Sequence, residues 1–288
     1  MQYGPAVRRR KLGAELRALR ARAGLTSGQA ARLVGWHQSK VSRIETGRSG
    51  VKPADVRLLL DAYDVRDPEL HELLVMLAGS DEDGRQHWWH AYRGLLPSTY
   101  SDFISLESQA DVMRTLENSV VPGLLQTPEY AREVTQAAVG RAPGGDDALV
   151  DVLVKVRLAR QDVLRSNTPL RLSVVLDEAV LRRTVGGPDV MARQLERLKE
   201  AAHLPHVRIQ VLPFGVGAHV GVTGPFVIFS FTNRSDLDVV VLDHLTSSLY
   251  LERKEDLHAY SEAFDSLQVH ALPPKDTLDF IAGLTDGA

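Results

Sequence analysis

A chain of 288 residues, 44% hydrophobic and 25% charged, has the length for two globular domains and too much apolar content for a disordered polymer. It contains no cysteine, which excludes a disulfide framework and thiolate metal sites, and no apolar run matches a bilayer span or a signal-peptide core, so a cytoplasmic, nucleoid-associated protein is expected. The net charge of −3 conceals an asymmetry: residues 1–80 carry fourteen Lys and Arg against eight Asp and Glu, so a polyanionic partner fits this part and not the acidic remainder.

The basic cluster Arg8, Arg9, Arg10 and Lys11 leads into an amphipathic helix whose Leu12, Leu16 and Leu19 lie at i, i+4 and i+7. Gly24 ends it and Thr26 starts the next as an N-cap. Ala30, Ala31 and Val34 give that second helix a small apolar face, and Gly35 supplies a turn where positive φ needs no Cβ. In the third helix Val41 and Ile44 point inward. Gln38, Ser39, Lys40, Ser42 and Arg43 point outward, with short or amide groups suited to base edges. Residues 25–48 therefore read as a helix-turn-helix fitted for DNA. Pro53 opens a fourth helix with Val56, Leu59, Leu60 and Tyr63 inside, and Asp67-Pro68 a fifth with Leu70, Leu73, Leu74 and Leu77 inside.

The polar run Gly79–Gly84 is the candidate boundary, giving an all-α five-helix domain over residues 1–80 and a second domain over 81–288. Trp88, Trp89 and Tyr92 are expected to pack on the second domain. A helix is expected from Tyr100 to Glu117 along Phe103, Leu106, Ala110, Met113 and Leu116. Pro122-Gly123 breaks the chain, Thr127-Pro128 starts another helix, Pro143-Gly144-Gly145 forms a loop, and residues 147–166 are helical, with Leu149, Val152, Val156, Ala159 and Val163 apolar. From Leu170 the period changes. LRLSVVLDEA, VRIQVLPF, GPFVIFSF and DVVVLDH read as strands, the last three expected to pair antiparallel, with a helix from Asp189 to His203 between the first two. A strand near Leu249–Leu251, a helix over 255–270 and a final helix after Pro273-Pro274 complete an α+β domain with a mixed or antiparallel sheet.

The stretch QSKVSRIETGR, preceded by LGAELRALRARAGLTSGQAA, resembles the helix-turn-helix of the XRE/Cro/C1-type transcription regulators over residues 12–78. The resemblance implies that Gln38, Ser39 and Arg43 read bases, that Ser27, Lys40, Arg48 and Lys52 grip phosphates, and that Glu45 closes the helix against its neighbours. Trp36 departs from the family pattern, either packing on the sugar-phosphate edge or capping the core. Residues 88–285, with VVPGLLQTPEYAR, VLDEAVLRRTVGG and VRIQVLPFGVGAH, resemble the uncharacterised domain that follows such modules in many actinobacterial regulators. That resemblance implies control by a small protein encoded by a neighbouring gene.

A sequence-specific, homodimeric regulator of double-stranded DNA is the expectation. A regulator sensing a small molecule through Phe214, His219, Phe226 and Phe229 is the alternative, as is an interaction module that has lost DNA binding. Asp177, Glu178, His219 and Asp243-His244 could assemble acid–base chemistry. No nucleophile elbow, Walker loop, HExxH or metal-ligand spacing accompanies them, so neither an enzyme nor a cofactor nor a metal is expected.

Overall fold

The computed structural model describes residues 5–79, 88, 92, 95–96, 98–139, 147–232, 238–244 and 247–285. The chain divides into two compact units, residues 1–106 and 107–288. Residues 80–84 of the expected linker, Trp89 and the loop at 143–145 lie outside the described residues. Trp88 and Tyr92 meet edge to face at 6.3 Å between ring centroids. No helix among the described residues is long and apolar enough to cross a membrane.

The first unit is helical: α1 (Pro5–Arg22), α2 (Ser27–Leu33), α3 (Gln38–Glu45), α4 (Pro53–Ala62), α5 (Pro68–Gly79) and α6 (Ser98–Glu107), whose last residue, Glu107, begins the second unit. The anticipated stripes meet in one core, with Leu12, Leu16, Leu19, Ala30, Ala31, Val41, Ile44, Val56, Leu59, Leu60, Tyr63 and Leu74 all buried. A fully buried leucine contributes about 1.5–3 kcal/mol relative to exposure. The side chains of Leu73 and Leu77 are outside the description. Gly13, in the middle of α1, permits a close crossing of α1 over α3. A Cβ there would stand 2.4 Å from the Ile44 carbonyl oxygen.

The second unit is α+β. Six strands, β1 (Val112–Glu117), β2 (Arg171–Asp177), β3 (Val207–Leu212), β4 (Phe226–Ser230), β5 (Val239–Asp243) and β6 (Ser248–Leu251), form one sheet in the order β3-β2-β1-β4-β5-β6. Around it lie α7 (Pro128–Val139), α8 (Asp147–Ala159), α9 (Glu178–Arg182), α10 (Pro188–Ala202), α11 (Lys254–His270) and α12 (Pro274–Thr285). β1, β2 and β3 run parallel, and the pairings β1–β4, β4–β5 and β5–β6 are antiparallel. On one face Leu116, Val175, Phe226, Ile228 and Val240 pack beneath Phe264 and Leu267 of α11.

Three expectations are corrected. The helix anticipated from Tyr100 to Glu117 stops at Glu107, and Val112–Glu117 is one of the two central strands. Met113, Thr115 and Leu116 are buried on opposite faces of the sheet, so β1 lacks the one-sided alternation that marks a strand. The helix expected through 166 ends at Ala159 and tightens into a 3-10 turn, Arg160–Leu164. There Arg160 turns to grip Glu107 through both carboxylate oxygens, at 2.7 and 2.6 Å. Finally, β3 does not pair with β4. It lies parallel to β2, reached through α10, and its other edge is covered: Val211 N–H donates to Thr277 Oγ1 and the Val211 carbonyl accepts from Leu272 N–H.

Candidate nucleic-acid interface

Capping groups define the turn between α2 and α3. Thr26 Oγ1 accepts the Gln29 N–H and Gln29 Oε1 accepts the Thr26 N–H, a reciprocal box at the start of α2. Gly35 takes φ +70°, and the chain reverses with Trp36 N–H donating to the Ala31 carbonyl at 2.7 Å. α3 begins at once. Its N-cap is His37, whose Nδ1 accepts the Ser39 N–H at 3.2 Å.

α3 is anchored by charge as well as by Val41 and Ile44. Arg20, at the end of α1, clasps the buried Glu45 carboxylate at 2.6 and 2.9 Å and donates to the Leu25 carbonyl at 2.6 Å. The Glu45 hydrogen bond holds the Arg20 guanidinium charged, above its ordinary range, against the opposing effect of burial. Close by, burial and the Glu45 charge push the Tyr63 phenol upward.

The outer face is what remains. Gln38, Ser39, Ser42 and Arg43 are exposed, as are Arg48 and Lys52 beyond the helix. Ser39 and Arg43 are four residues apart and share one helical face. Gln38 Nε2 donates to Ser27 Oγ at 3.1 Å, joining the first residue of α3 to the first of α2 and leaving the Ser27 hydroxyl proton for another acceptor. Among the described residues Arg43 and Arg48 have no ion-pair partner. Lys40 differs: its ammonium pairs with Asp55 of α4 at 3.0 Å and stands 3.5 Å from the Trp36 ring centroid. Trp36 is half-buried against the core.

A family model described as a helix-turn-helix domain matches residues 11–74, and one described as a domain of unknown function, DUF5753, matches residues 100–283. The chain belongs to the DUF5753 family. No curated protein and no solved structure matches it.

In this DUF5753 domain the segment VPGLLQTPEYAR is a scaffold of satisfied backbone groups. Gln126 Nε2 donates to the Val121 carbonyl, Gln161 Nε2 to the carbonyls of Gly123 and Gln126, and Gln194 Nε2 to that of Leu125, while Tyr130 Oη accepts the Val121 N–H. Three of the acid–base candidates are also committed within the chain, whereas Asp243 and His244 are exposed at the end of β5. Asp177 Oδ1 caps α9 at the Ala179 N–H, and Glu178 holds Arg182 and the Phe214 N–H. His219 Nδ1 accepts the Gly221 N–H while its Nε2 lies 3.7 Å from Asp177 Oδ2. The four residues proposed to line a pocket do not converge: Phe226 and Phe229 are both buried, on opposite faces of β4, and Phe214 is exposed.

Four residues escaped sequence reasoning. His37 stands where a cap belongs but outside the usual cap residue types. Arg20 and Asp55 find their partners across 25 and 15 residues, beyond any local pattern. Glu117, at the end of β1, is lifted from 4.5 to about 7 by burial, with a Thr115 hydrogen bond opposing and the Asp243 charge reinforcing.

Proposed function

We propose that this chain is a sequence-specific DNA-binding transcription regulator of the XRE/Cro/C1 type, with α3 entering the major groove. The observation that carries this reading is the division of α3 itself. Val41, Ile44 and Glu45 are buried, whereas Gln38, Ser39, Ser42 and Arg43 are exposed and polar. A helix that docked a protein would present apolar anchors on that face. The basic N-terminal third supplies the salt-sensitive attraction to phosphate.

A module of this size covers about 600–1,000 Å² of DNA contact surface, too little for regulatory affinity from one copy. The regulator therefore acts as a homodimer in the cytoplasm, two copies reading half-sites about 34–36 Å apart. The DUF5753 domain supplies dimerisation and response to a small protein partner, a reading that rests on the resemblance of this domain to those of actinobacterial regulators. A gel shift of the full chain on the DNA upstream of its own gene, against unrelated DNA of equal length, tests the proposal. A retarded band that survives competitor DNA supports it, and equal affinity for both duplexes sinks it.

A further inference from the structure

His37 does more than start a helix. Its Nδ1 lies 3.2 Å from the Ser39 backbone nitrogen and 2.8 Å from Ser39 Oγ. A backbone N–H can only donate, so Nδ1 must be an acceptor and the proton of the neutral ring sits on Nε2. The second contact then has only one polarity: the Ser39 hydroxyl donates its single proton to the imidazole. What Ser39 has left for anything outside the protein is lone pairs.

We propose that His37 is a positioning residue that converts Ser39 into an acceptor-only reader, so that the base whose edge faces Ser39 is adenine or cytosine, offering its exocyclic amino group at N6 or N4, and not the guanine or thymine paired with it. This rests on the reading of α3 as the recognition helix and deepens it. In the major groove guanine shows acceptors at N7 and O6 and thymine an acceptor at O4, whereas adenine and cytosine offer amino donors. A free serine hydroxyl rotates to suit either class. One whose proton is already engaged opposes its lone pairs to those of a keto oxygen and pays for the mismatch in desolvation. Both residues are exposed at the first turn of α3, so the arrangement is open to the groove.

The test uses the full chain and a duplex selected by it from a randomised pool. Each adenine of that duplex is then replaced by purine and each cytosine by 2-pyrimidinone, deleting one amino group at a time. The wild-type protein is expected to lose roughly fivefold in affinity at one position, the size of a single neutral hydrogen bond, and Ser39→Ala to be indifferent there. His37→Ala abolishes the preference at that position alone. His37→Asn, whose amide oxygen can accept both Ser39 donors, keeps it.

Three results overturn the proposal: a guanine or thymine edge at the position that Ser39→Ala desensitises, a His37→Ala variant weakened equally on every duplex with its preferences intact, or loss of the preference in His37→Asn. A separate measurement distinguishes its failure from failure of the DNA-binding reading. The imidazole nitrogen spectrum of the free, histidine-labelled chain, with the His37 resonances identified by their loss in His37→Asn, should show the Nε2–H tautomer. A protonated Nδ1 in the neutral ring overturns the proposal whatever the protein binds. A protein with the expected tautomer but no sequence preference fails instead at the recognition helix.

Discussion

Lys40 and Asp55 join α3 to α4 through a 3.0 Å ion pair, and the same ammonium rests 3.5 Å from the centroid of the Trp36 ring. A cation expected to grip phosphate is therefore engaged by its own chain, through a carboxylate and an aromatic face. Replacing Asp55 by Asn frees it. DNA affinity at low salt should rise for all sequences alike, and the slope of log K against log salt should steepen by roughly 0.9, one phosphate contact. Stability should fall by no more than about 1 kcal/mol, because both partners are partly exposed. An unchanged salt slope would mean that Lys40 stays away from the duplex.

Arg43 and Arg48 should separate by role. Arg43→Ala is expected to cost about 1–3 kcal/mol at one base pair and to relax preference there. Arg48→Ala should weaken binding to every duplex by a similar factor and flatten the salt dependence. Anisotropy titrations over a set of single-substitution duplexes distinguish the two patterns, and identical profiles would refute the assignment.

The Arg20–Glu45 pair lies in a place where loss of one partner leaves the other charged and enclosed, with side chains only 13% and 5% exposed. Arg20→Ala or Glu45→Ala should destabilise the first unit by about 3–5 kcal/mol. Replacing both residues by apolar ones of similar volume should recover most of that loss. Urea unfolding followed through the helical signal measures both.

Gly13 tests the packing of α1 on α3. Alanine is the better helix former by about 0.8–1 kcal/mol. Its methyl would nevertheless meet the backbone at 2.4 Å, a neighbour that cannot swing aside. Gly13→Ala should therefore lower stability by about 1–3 kcal/mol. A melting temperature equal to or above that of the parent would show that α1 shifts at no cost.

Glu117 carries a pH prediction. Burial lifts its carboxyl to about 7 in the folded chain, against 4.5 when unfolded. Between those values the folded state holds the extra proton, so its contribution to stability is full below about 4.5 and is lost as pH rises towards 7. Glu117→Gln keeps the neutral form at every pH. It should gain about 1–3 kcal/mol over the parent at pH 8 and nothing at pH 4. Equal stability differences at both pH values would place the titration elsewhere.

The residues that start, stop and bury the first five helices were legible because each message is short in range. Thr26 caps three residues onward, Gly35 turns the chain where it stands, and Leu12, Leu16 and Leu19 mark a face by spacing alone. The outward set on α3 follows from the same period, as the complement of Val41 and Ile44. The second unit was legible where strands are half-buried or short and apolar, as at Arg171–Asp177 and Val239–Asp243. It was not legible at β1, where Met113 and Leu116 fit a helical spacing and burial on both faces removes alternation.

The amino-acid sequence by itself determined the helix-turn-helix, its exposed polar face and the presence of a separate α+β unit, since caps, positive φ and apolar period act within about one turn of chain. Tertiary structure alone decided that Val112–Glu117 becomes one of the two central strands, that β3 lies parallel at the far edge, that Lys40 is engaged by Asp55 and that Glu117 holds its proton near neutrality. Each of these depends on which distant groups come to surround a residue. Strand pairing, desolvation and ion pairing are settled by neighbours in space.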